Sequence, residues 1–323
     1  MTATQDWLMV RVAAKHDEAI DICSFELVTV DGRPLPAFSA GSHIDVAVPG
    51  GPTRQYSLSN APGESHRYEI SVLRNPGSRG GSSGMHDRVQ VGDELKISHP
   101  KNHFPLQDSS EHSLLLAGGI GVTPILAMAE SLSANDASFE MHYFTRTRAR
   151  TAFMKRLSAT KYASNVQFHF DDEKASPQIA IEASLAQPRT GKHVYVCGPK
   201  GFMDSVLGTA RKLGWPEAQL HYEFFSAEAP ASVDREGFEV VVASSGQVVP
   251  VGRNESVVQA LAKAGIRIET SCEQGICGTC ATRVLAGEPE HLDVCLSPEE
   301  RAANDQLLPC CSRSRSARLV LDL

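Results

Sequence analysis

A chain of 323 residues, 41% hydrophobic and 21% charged, is too long for one ordinary core and predicts two or three domains of a globular protein. Its formal net charge of −7 excludes a nucleic-acid binder, which needs clustered Lys and Arg to neutralise phosphates. Residues 1–14 hold a short apolar stretch broken by Asp6 and Arg11 with no basic flank, so no signal peptide is expected.

From Leu8 to about Leu106 the chain reads as short strands, at 20–28, 43–48 and 68–73, with Gly/Pro/Asn turns between them. No long helical pattern interrupts them, which predicts an antiparallel barrel or sandwich. Two segments stand out here. Arg54-Gln55-Tyr56-Ser57-Leu58-Ser59 places a cation, an aromatic and a hydroxyl on one strand, where alternation puts Arg54 and Tyr56 on one face and Ser57 on the other. Arg74-Asn75-Pro76-Gly77-Ser78-Arg79-Gly80-Gly81-Ser82-Ser83 is a Gly/Ser loop that can cradle a phosphate through backbone amides and Arg79, or serve only as a solvated barrel loop.

From residue 113 to 225 the pattern changes. Apolar runs at 113–117, 139–144, 166–170 and 194–197 alternate with helix-like stretches at 123–132, 152–158 and 202–213, predicting a parallel sheet with helices on both faces. The uncharged run at 113–129 is shorter than the roughly 20 residues a membrane span needs, and its glycines suit a strand, loop and helix; no membrane association is expected. Leu116-Ala117-Gly118-Gly119-Ile120-Gly121-Val122-Thr123-Pro124 lets a pyrophosphate approach backbone N–H groups at a helix start, with Pro124 in the first turn. It is not the G-x-G-x-x-G fingerprint, and alone it is equally a tight turn. A second strand ends in Cys197-Gly198-Pro199, with Met203-Asp204 on the next helix, and strand ends facing a crevice are where such sheets hold nucleotides.

Residues 226–236 read as a linker. Beyond it, 238–243 and 247–251 suggest a hairpin, 257–264 a short helix and 318–323 a final strand. Six of the eight cysteines fall in the last 52 residues, which favours metal ligation over a disulfide framework. Cys272, Cys277 and Cys280 have the spacing C-x4-C-x2-C, and Cys310 follows after 29 intervening residues, the plant-type 2Fe–2S pattern. A structural zinc site is the alternative, though zinc motifs usually come as two C-x2-C pairs. Cys295 reads as a small buried hydrophobe. Neighbouring side chains on an extended segment point to opposite sides, so one of Cys310 and Cys311 is expected to face the irons.

Taken together, Arg54-x-Tyr56-Ser57, Gly80-Gly81-Ser82, Gly118-Gly119-Ile120-Gly121-x-Thr123-Pro124, Cys197-Gly198-Pro199, Glu223-Phe224-Phe225 and the cluster cysteines resemble the phthalate dioxygenase reductase family of the ferredoxin–NADP reductase superfamily, over nearly the full chain. The module order, ferredoxin last, is that of phthalate dioxygenase and vanillate demethylase reductases. The resemblance implies three parts: an antiparallel β-barrel flavin domain at 1–107, an α/β parallel-sheet nucleotide domain at 108–228 and an α+β plant-type ferredoxin domain at 237–323. It implies FMN, NADH and a 2Fe–2S cluster as cofactors. Arg54, Tyr56, Ser57 and Val72 are then expected at the flavin, and Arg79, Gly80, Gly81, Ser82 and Ser83 at its phosphate. Gly118, Gly119, Gly121, Thr123, Pro124, Cys197, Gly198, Pro199 and Met203 are expected at the dinucleotide. Phe225 is expected over the flavin ring, with Ser57, Cys197 and Glu223 nearest the hydride-transfer centre. Cys272, Cys277, Cys280 and Cys310 are the implied cluster ligands, with Cys311 as a packing residue. Leu73 departs from the pattern, which leads one to expect a basic residue there. The implied role is an NADH-dependent reductase in the cytoplasm, serving a Rieske-type oxygenase.

Overall fold

The computed structural model describes residues 7–78, 80–173, 177–225, 236–270, 272–273 and 275–323. Two compact units emerge, Met1–Phe225 and Ser226–Leu323.

The first unit opens with β1 (Trp7–Ala19), β2 (Ile22–Thr29), β3 (Ser42–Ala47), β4 (Thr53–Ser57) and β5 (Tyr68–Leu73). Helix α1 (Ser82–Arg88) and strands β6 (Glu94–Ser98) and β7 (Lys101–Asn102) complete this region. The antiparallel order is β4-β3-β6-β1-β2-β5, with β7 beside β3. A bridge between Leu58 and Ile70 brings the β4 edge back to β5, so the sheet curls on itself. Alternation explains the interior: Val10, Val12, Phe25, Leu27, Ile44, Val46, Ile70, Leu95 and Ile97 are all fully buried at i, i+2 positions.

The same unit continues through β8 (His112–Gly118), α2 (Val122–Ala134), β9 (Phe139–Thr145), α3 (Met154–Ala159) and β10 (Val166–Phe170). It ends with α4 (Pro177–Leu185), β11 (Lys192–Cys197), α5 (Lys200–Lys212) and β12 (Leu220–Glu223). All neighbours in the order β10-β9-β8-β11-β12 are parallel. The order reverses between β8 and β11, which opens a crevice at the carboxyl ends of those two strands. Leu115, Ala117 and Tyr195 pack on the α2 face, while Leu114, Leu116, Val194 and Val196 pack with α5 on the other. The α2-side core also takes in Ile22, Ala40 and Phe104 from the barrel region, so the two sheets share a hydrophobic cluster.

The second unit carries β13 (Phe238–Val242), β14 (Val248–Val251), α6 (Val257–Lys263), β15 (Thr282–Ala286) and β16 (Pro289–Glu290). Helix α7 (Pro298–Ala303) and strands β17 (Gln306–Leu307), β18 (Arg313–Ser314) and β19 (Arg318–Leu321) follow. The main sheet runs β14-β13-β19-β15-β17, with β13 and β19 parallel at its centre. Capping boxes at Ser256/Gln259 and Ser297/Glu300 start the two helices. The expected linker at 226–236 lies, up to residue 235, outside the described residues. Among those residues no helix is long and apolar enough to cross a membrane.

Candidate functional site

In the barrel region, β4 pairs with β3 so that Arg54 lies opposite Val46, Tyr56 opposite Ile44 and Ser57 opposite His43. Arg54 and Tyr56 therefore share the face of the buried Ile44 and Val46, as alternation requires. The Arg54 side chain lies against Gly81 at the start of α1: a Cβ on Gly81 would fall 3.1 Å from Arg54 Cγ and Nε. The two segments singled out in the sequence thus meet. Gly80 has φ +92, a conformation that side-chain-bearing residues rarely adopt. The loop is braced internally, since the Ser83 N–H donates to Ser78 Oγ at 3.1 Å and the Asn75 N–H to Ser82 Oγ at 3.0 Å. Arg79 lies outside the described residues. Leu73 is 39% exposed, and the neighbouring Arg74 is engaged by Asp87 at 2.6 and 3.0 Å.

Tyr56 gives this region its chemical signature. Its hydroxyl is shielded from solvent and has no hydrogen-bond partner, and burial pushes the phenol well above its ordinary range. A buried unpaired hydroxyl costs about 1–3 kcal/mol, so a polar ligand atom at this point would relieve a standing penalty. That, with the Arg54 guanidinium at a Gly/Ser turn, fits a flavin phosphate ester bound on the barrel.

At the crevice, β8 runs directly into the Gly119–Gly121 turn and α2. Glycine here is a matter of space. A Cβ on Gly118 would lie 2.6 Å from the Phe202 ring, and one on Gly198 would lie 2.7 Å from the same ring. Two loop backbones and one aromatic ring are thereby packed to contact. Gly119 has φ +53 and nothing near its Cβ position, so it faces open space. Thr123 donates its hydroxyl to the Ile120 carbonyl at 3.1 Å, closing the turn. Val72, Thr123, Pro124 and Met203 are buried, whereas Pro199 stands exposed at the N-cap of α5. Phe202 carried no signal in the sequence beyond its place on a helix.

Cys197 ends β11 directly opposite Glu223 on β12. The thiol is fully buried and pushed well above its ordinary value by burial, then by the Glu223 charge. Glu223 is half-buried as a residue, yet its Oε2 is shielded and has no hydrogen-bond partner. Burial raises this carboxyl to about 8. The pair places a neutral acid and a neutral thiol at the mouth of the crevice. Phe225, two residues past β12, is half-buried and packs on the α2-side core. Ser57 is 6% exposed.

In the second unit the four expected cysteines form two pairs. Cys277 is held by a hydrogen bond with Cys272, which pulls its thiol down to about 5. Cys280 is hydrogen-bonded to Cys310, which drives the Cys280 thiol far up. For Cys310, the bond with Cys280 lowers the thiol, while Cys311 and burial raise it; the balance lies at about 12. Backbone N–H groups of Cys272 and Thr279 point at the Cys277 sulfur, and that of Gly275 at Cys310. Gly275 and Gly278, at φ +74 and +72, make the turns that aim those amides inward. Among the described residues, no group of three or more His, Cys, Asp or Glu is arranged to hold one metal ion. Two pairs suit two irons, each taking two thiolates, so the donor set fits a 2Fe–2S cluster.

Two expectations need correction. Cys295 is exposed, not buried. Asp293, fully buried as a side chain, accepts the N–H groups of Cys295 at 3.2 Å and Leu296 at 2.8 Å, a turn that sends Leu296 into the core and Cys295 outward. The segment around Cys310 and Cys311 is a turn, not extended chain: the Cys311 and Ser312 N–H groups both donate to the Leu308 carbonyl, at 3.1 and 2.9 Å. Cys310 nevertheless pairs with Cys280, while Cys311 sits over Gly275, whose Cβ position is 2.4 Å from its sulfur.

Comparison with known proteins agrees with this architecture. Residues 240–315 match the family model of the 2Fe-2S iron-sulfur cluster binding domain. Residues 97–220 match that of the dimethylamine monooxygenase subunit DmmA-like N-terminal domain. The chain is 50% identical to vanillate O-demethylase oxidoreductase of Pseudomonas sp. (strain HR199 / DSM 7063), covering 97% of this chain and 99% of that one. It is 52% identical to the enzyme of the same name from Pseudomonas putida, over 97% and 98% of the two chains. Among solved structures, phthalate dioxygenase reductase superposes with a TM-score of 0.81 at 38% identity, covering 98% of each chain. That protein is a modular structure for electron transfer from pyridine nucleotides to [2Fe-2S]. A curled antiparallel sheet, a doubly wound parallel sheet and a C-terminal ferredoxin module define an iron–sulfur oxidoreductase of the ferredoxin–NADP reductase fold. The chain belongs to the phthalate dioxygenase reductase family, which includes the vanillate O-demethylase oxidoreductases.

Proposed function

We propose that this chain is the cytoplasmic reductase component of a two-component, Rieske-type oxygenase, drawing electrons from NADH through FMN to a 2Fe–2S cluster and on to its partner. The observation that carries the reading is the co-occurrence, in one chain, of a glycine-walled crevice and a two-pair thiol site. The half-identical relatives are vanillate O-demethylase oxidoreductases, which favours a partner that demethylates a methoxylated aromatic. The working division is 1–107 for flavin, 108–228 for nicotinamide and 237–323 for the cluster, joined by about 226–236.

The chemistry the cofactors supply when bound is acceptance of a hydride and release of its electrons one at a time. The protein's part is binding, orientation and electrostatics. Arg54 sets a guanidinium at the 80–83 turn, suited to a phosphate ester, and Tyr56 offers an unused hydroxyl to the isoalloxazine. Gly118, Gly121 and Gly198 let the ends of β8 and β11 pack closely, and Gly119, which faces open space, would let a pyrophosphate approach main-chain N–H groups where α2 begins. Glu223, protonated at neutral pH, presents an O–H donor beside Cys197 and keeps negative charge away from the transferring hydride. Phe225, at the end of the β12 segment, would cover the flavin ring where nicotinamide must enter. Cys272, Cys277, Cys280 and Cys310 hold the cluster, and Ser57 faces the flavin from β4.

An absorbance spectrum before and after anaerobic NADH tests this. Flavin and cluster bands that both bleach, with FMN released on denaturation, support it. A colourless protein carrying one zinc per chain overturns it.

A further inference from the structure

Hydride transfer requires two sheets to hold their ligands in register, and one buried carboxylate joins them. Glu69 lies on β5, is 6% exposed, and uses Oε1 twice. It accepts from Ser59 Oγ at 2.8 Å within the barrel region, and from Arg156 Nη1 at 2.8 Å on α3 of the parallel-sheet region. Its main chain is tied to the same barrel segment: the Glu69 N–H donates to Asn60 Oδ1 at 2.9 Å, and the Ser59 N–H to the Glu69 carbonyl at 2.9 Å. Ser59 is only two residues beyond Ser57, on the continuation of the β4 strand.

On the other side, Arg156 is anchored where it stands. Glu130 of α2 receives its Nη2 at 3.4 Å and the Tyr162 hydroxyl at 2.9 Å, and the guanidinium lies 5.7 Å from the centre of the Phe153 ring. Helix α2 is the helix that begins at the Gly118–Gly121 turn. The chain of contacts therefore runs from the flavin strand through Ser59, Glu69, Arg156 and Glu130 to the dinucleotide helix. A second tie between the same regions, Asp21 to Arg150 at 2.9 Å, is more than 40% exposed on both sides and is screened accordingly. Arg67 lies 3.3 Å from the other Glu69 oxygen, so both carboxylate oxygens meet a guanidinium.

Building on the proposed function, we propose that Arg156 is a positioning residue for hydride transfer, locking the nicotinamide-binding helices to the flavin strand through Glu69. A small misplacement between bound reactants is enough to cost an order of magnitude or more in rate. The test is stopped-flow reduction of the full chain by NADH. Arg156→Ala should lower the limiting rate of flavin bleaching about tenfold while the NADH dissociation constant changes less than about twofold. Arg156→Lys should recover most of that rate. The deuterium isotope effect with labelled NADH should change in the Ala variant, and ADP-ribose affinity by calorimetry should not. An Ala variant within about twofold of the parent rate, or one that loses rate only through weaker NADH binding, overturns the proposal. So does a loss that Lys fails to recover and that follows a fallen urea midpoint. If the unsubstituted protein itself is not reduced by NADH, the proposed function fails instead, and the two failures are distinguishable.

Discussion

A Cβ placed on Gly121 would lie 2.3 Å from the carbonyl oxygen of Cys197. The obstacle is backbone, so no side-chain rotation relieves it. Gly121→Ala must push the α2 turn and the end of β11 apart, at a cost of about 1–3 kcal/mol for overpacking. The expected result is a lower urea midpoint and at least a tenfold weaker ADP-ribose affinity. Equal affinity in the two proteins would show that the crevice does not depend on this contact.

Glu223 has a measurable signature in pH. Burial raises its carboxyl from an ordinary 4.5 to about 8. Below pH 4.5 both folded and unfolded states hold the proton, and the carboxyl does not oppose folding. Between 4.5 and 8 the unfolded state releases it while the folded state does not, so stability falls as pH rises. Denaturation of the cofactor-free chain at pH 5, 6.5 and 8 should show this decline, on the order of a few kcal/mol. In Glu223→Gln the slope should flatten. A parallel decline in both proteins assigns it to another group.

Tyr56→Phe separates folding from binding. The hydroxyl has no partner in the cofactor-free chain, so its removal should leave stability unchanged or slightly raised. If the hydroxyl meets the flavin, FMN affinity falls about fivefold, equivalent to about 1 kcal/mol. Fluorescence titration with FMN gives the answer, and an unchanged dissociation constant removes Tyr56 from the site.

The cysteine pairing yields a sharp contrast between neighbours. Cys310→Ser leaves Cys280 without its partner and should lose or strongly perturb the cluster while NADH still bleaches the flavin. Cys311→Ala removes a sulfur packed on Gly275 and should keep the paramagnetic signal of the reduced cluster. The opposite pattern would mean that the thiol turn is off by one residue.

Cofactor choice bears on three arginines, two of which are already paired within the chain. The strand end after β9 carries Arg146, Arg148 and Arg150, a place where a 2′-phosphate is commonly met. Arg148 is paired with Glu173 at 2.9 Å and stacked 4.4 Å from the Phe170 ring centre, and Arg150 is paired with Asp21. NADH should therefore exceed NADPH in kcat/KM by at least about tenfold. Comparable values would mean that these pairs open for the phosphate.

How far the sequence could be read depended on whether local pattern or distant contact decides the outcome. Strand β8, its glycine turn and α2 were legible because an apolar run meets glycines and a first-turn proline. The 13-residue β1 was not, because irregularities between Val12 and Ala14 and between Asp17 and Ala19 break its alternation. Helix α4 buries only Ile181 and Leu185, too sparse a stripe to register as periodicity. Arg54 and Gly81 are 27 positions apart, and each was legible, but not the contact between them. Cys295 was misread because its outward turn is set by Asp293, whose carboxylate also receives the Ser312 hydroxyl at 3.3 Å from far along the chain. Long-range hydrogen bonding of that kind leaves no periodic trace.

The outward turn of Cys295 also makes the protein selectively addressable. It is the one exposed cysteine of the eight, and its sulfur lies 3.1 Å from the Cβ position of Gly278 in the cluster loop. A maleimide dye or nitroxide attached there sits beside the Gly278 turn without replacing any of the four thiols proposed to hold the cluster. Relaxation of such a label would report the redox state of a cluster bound at that loop.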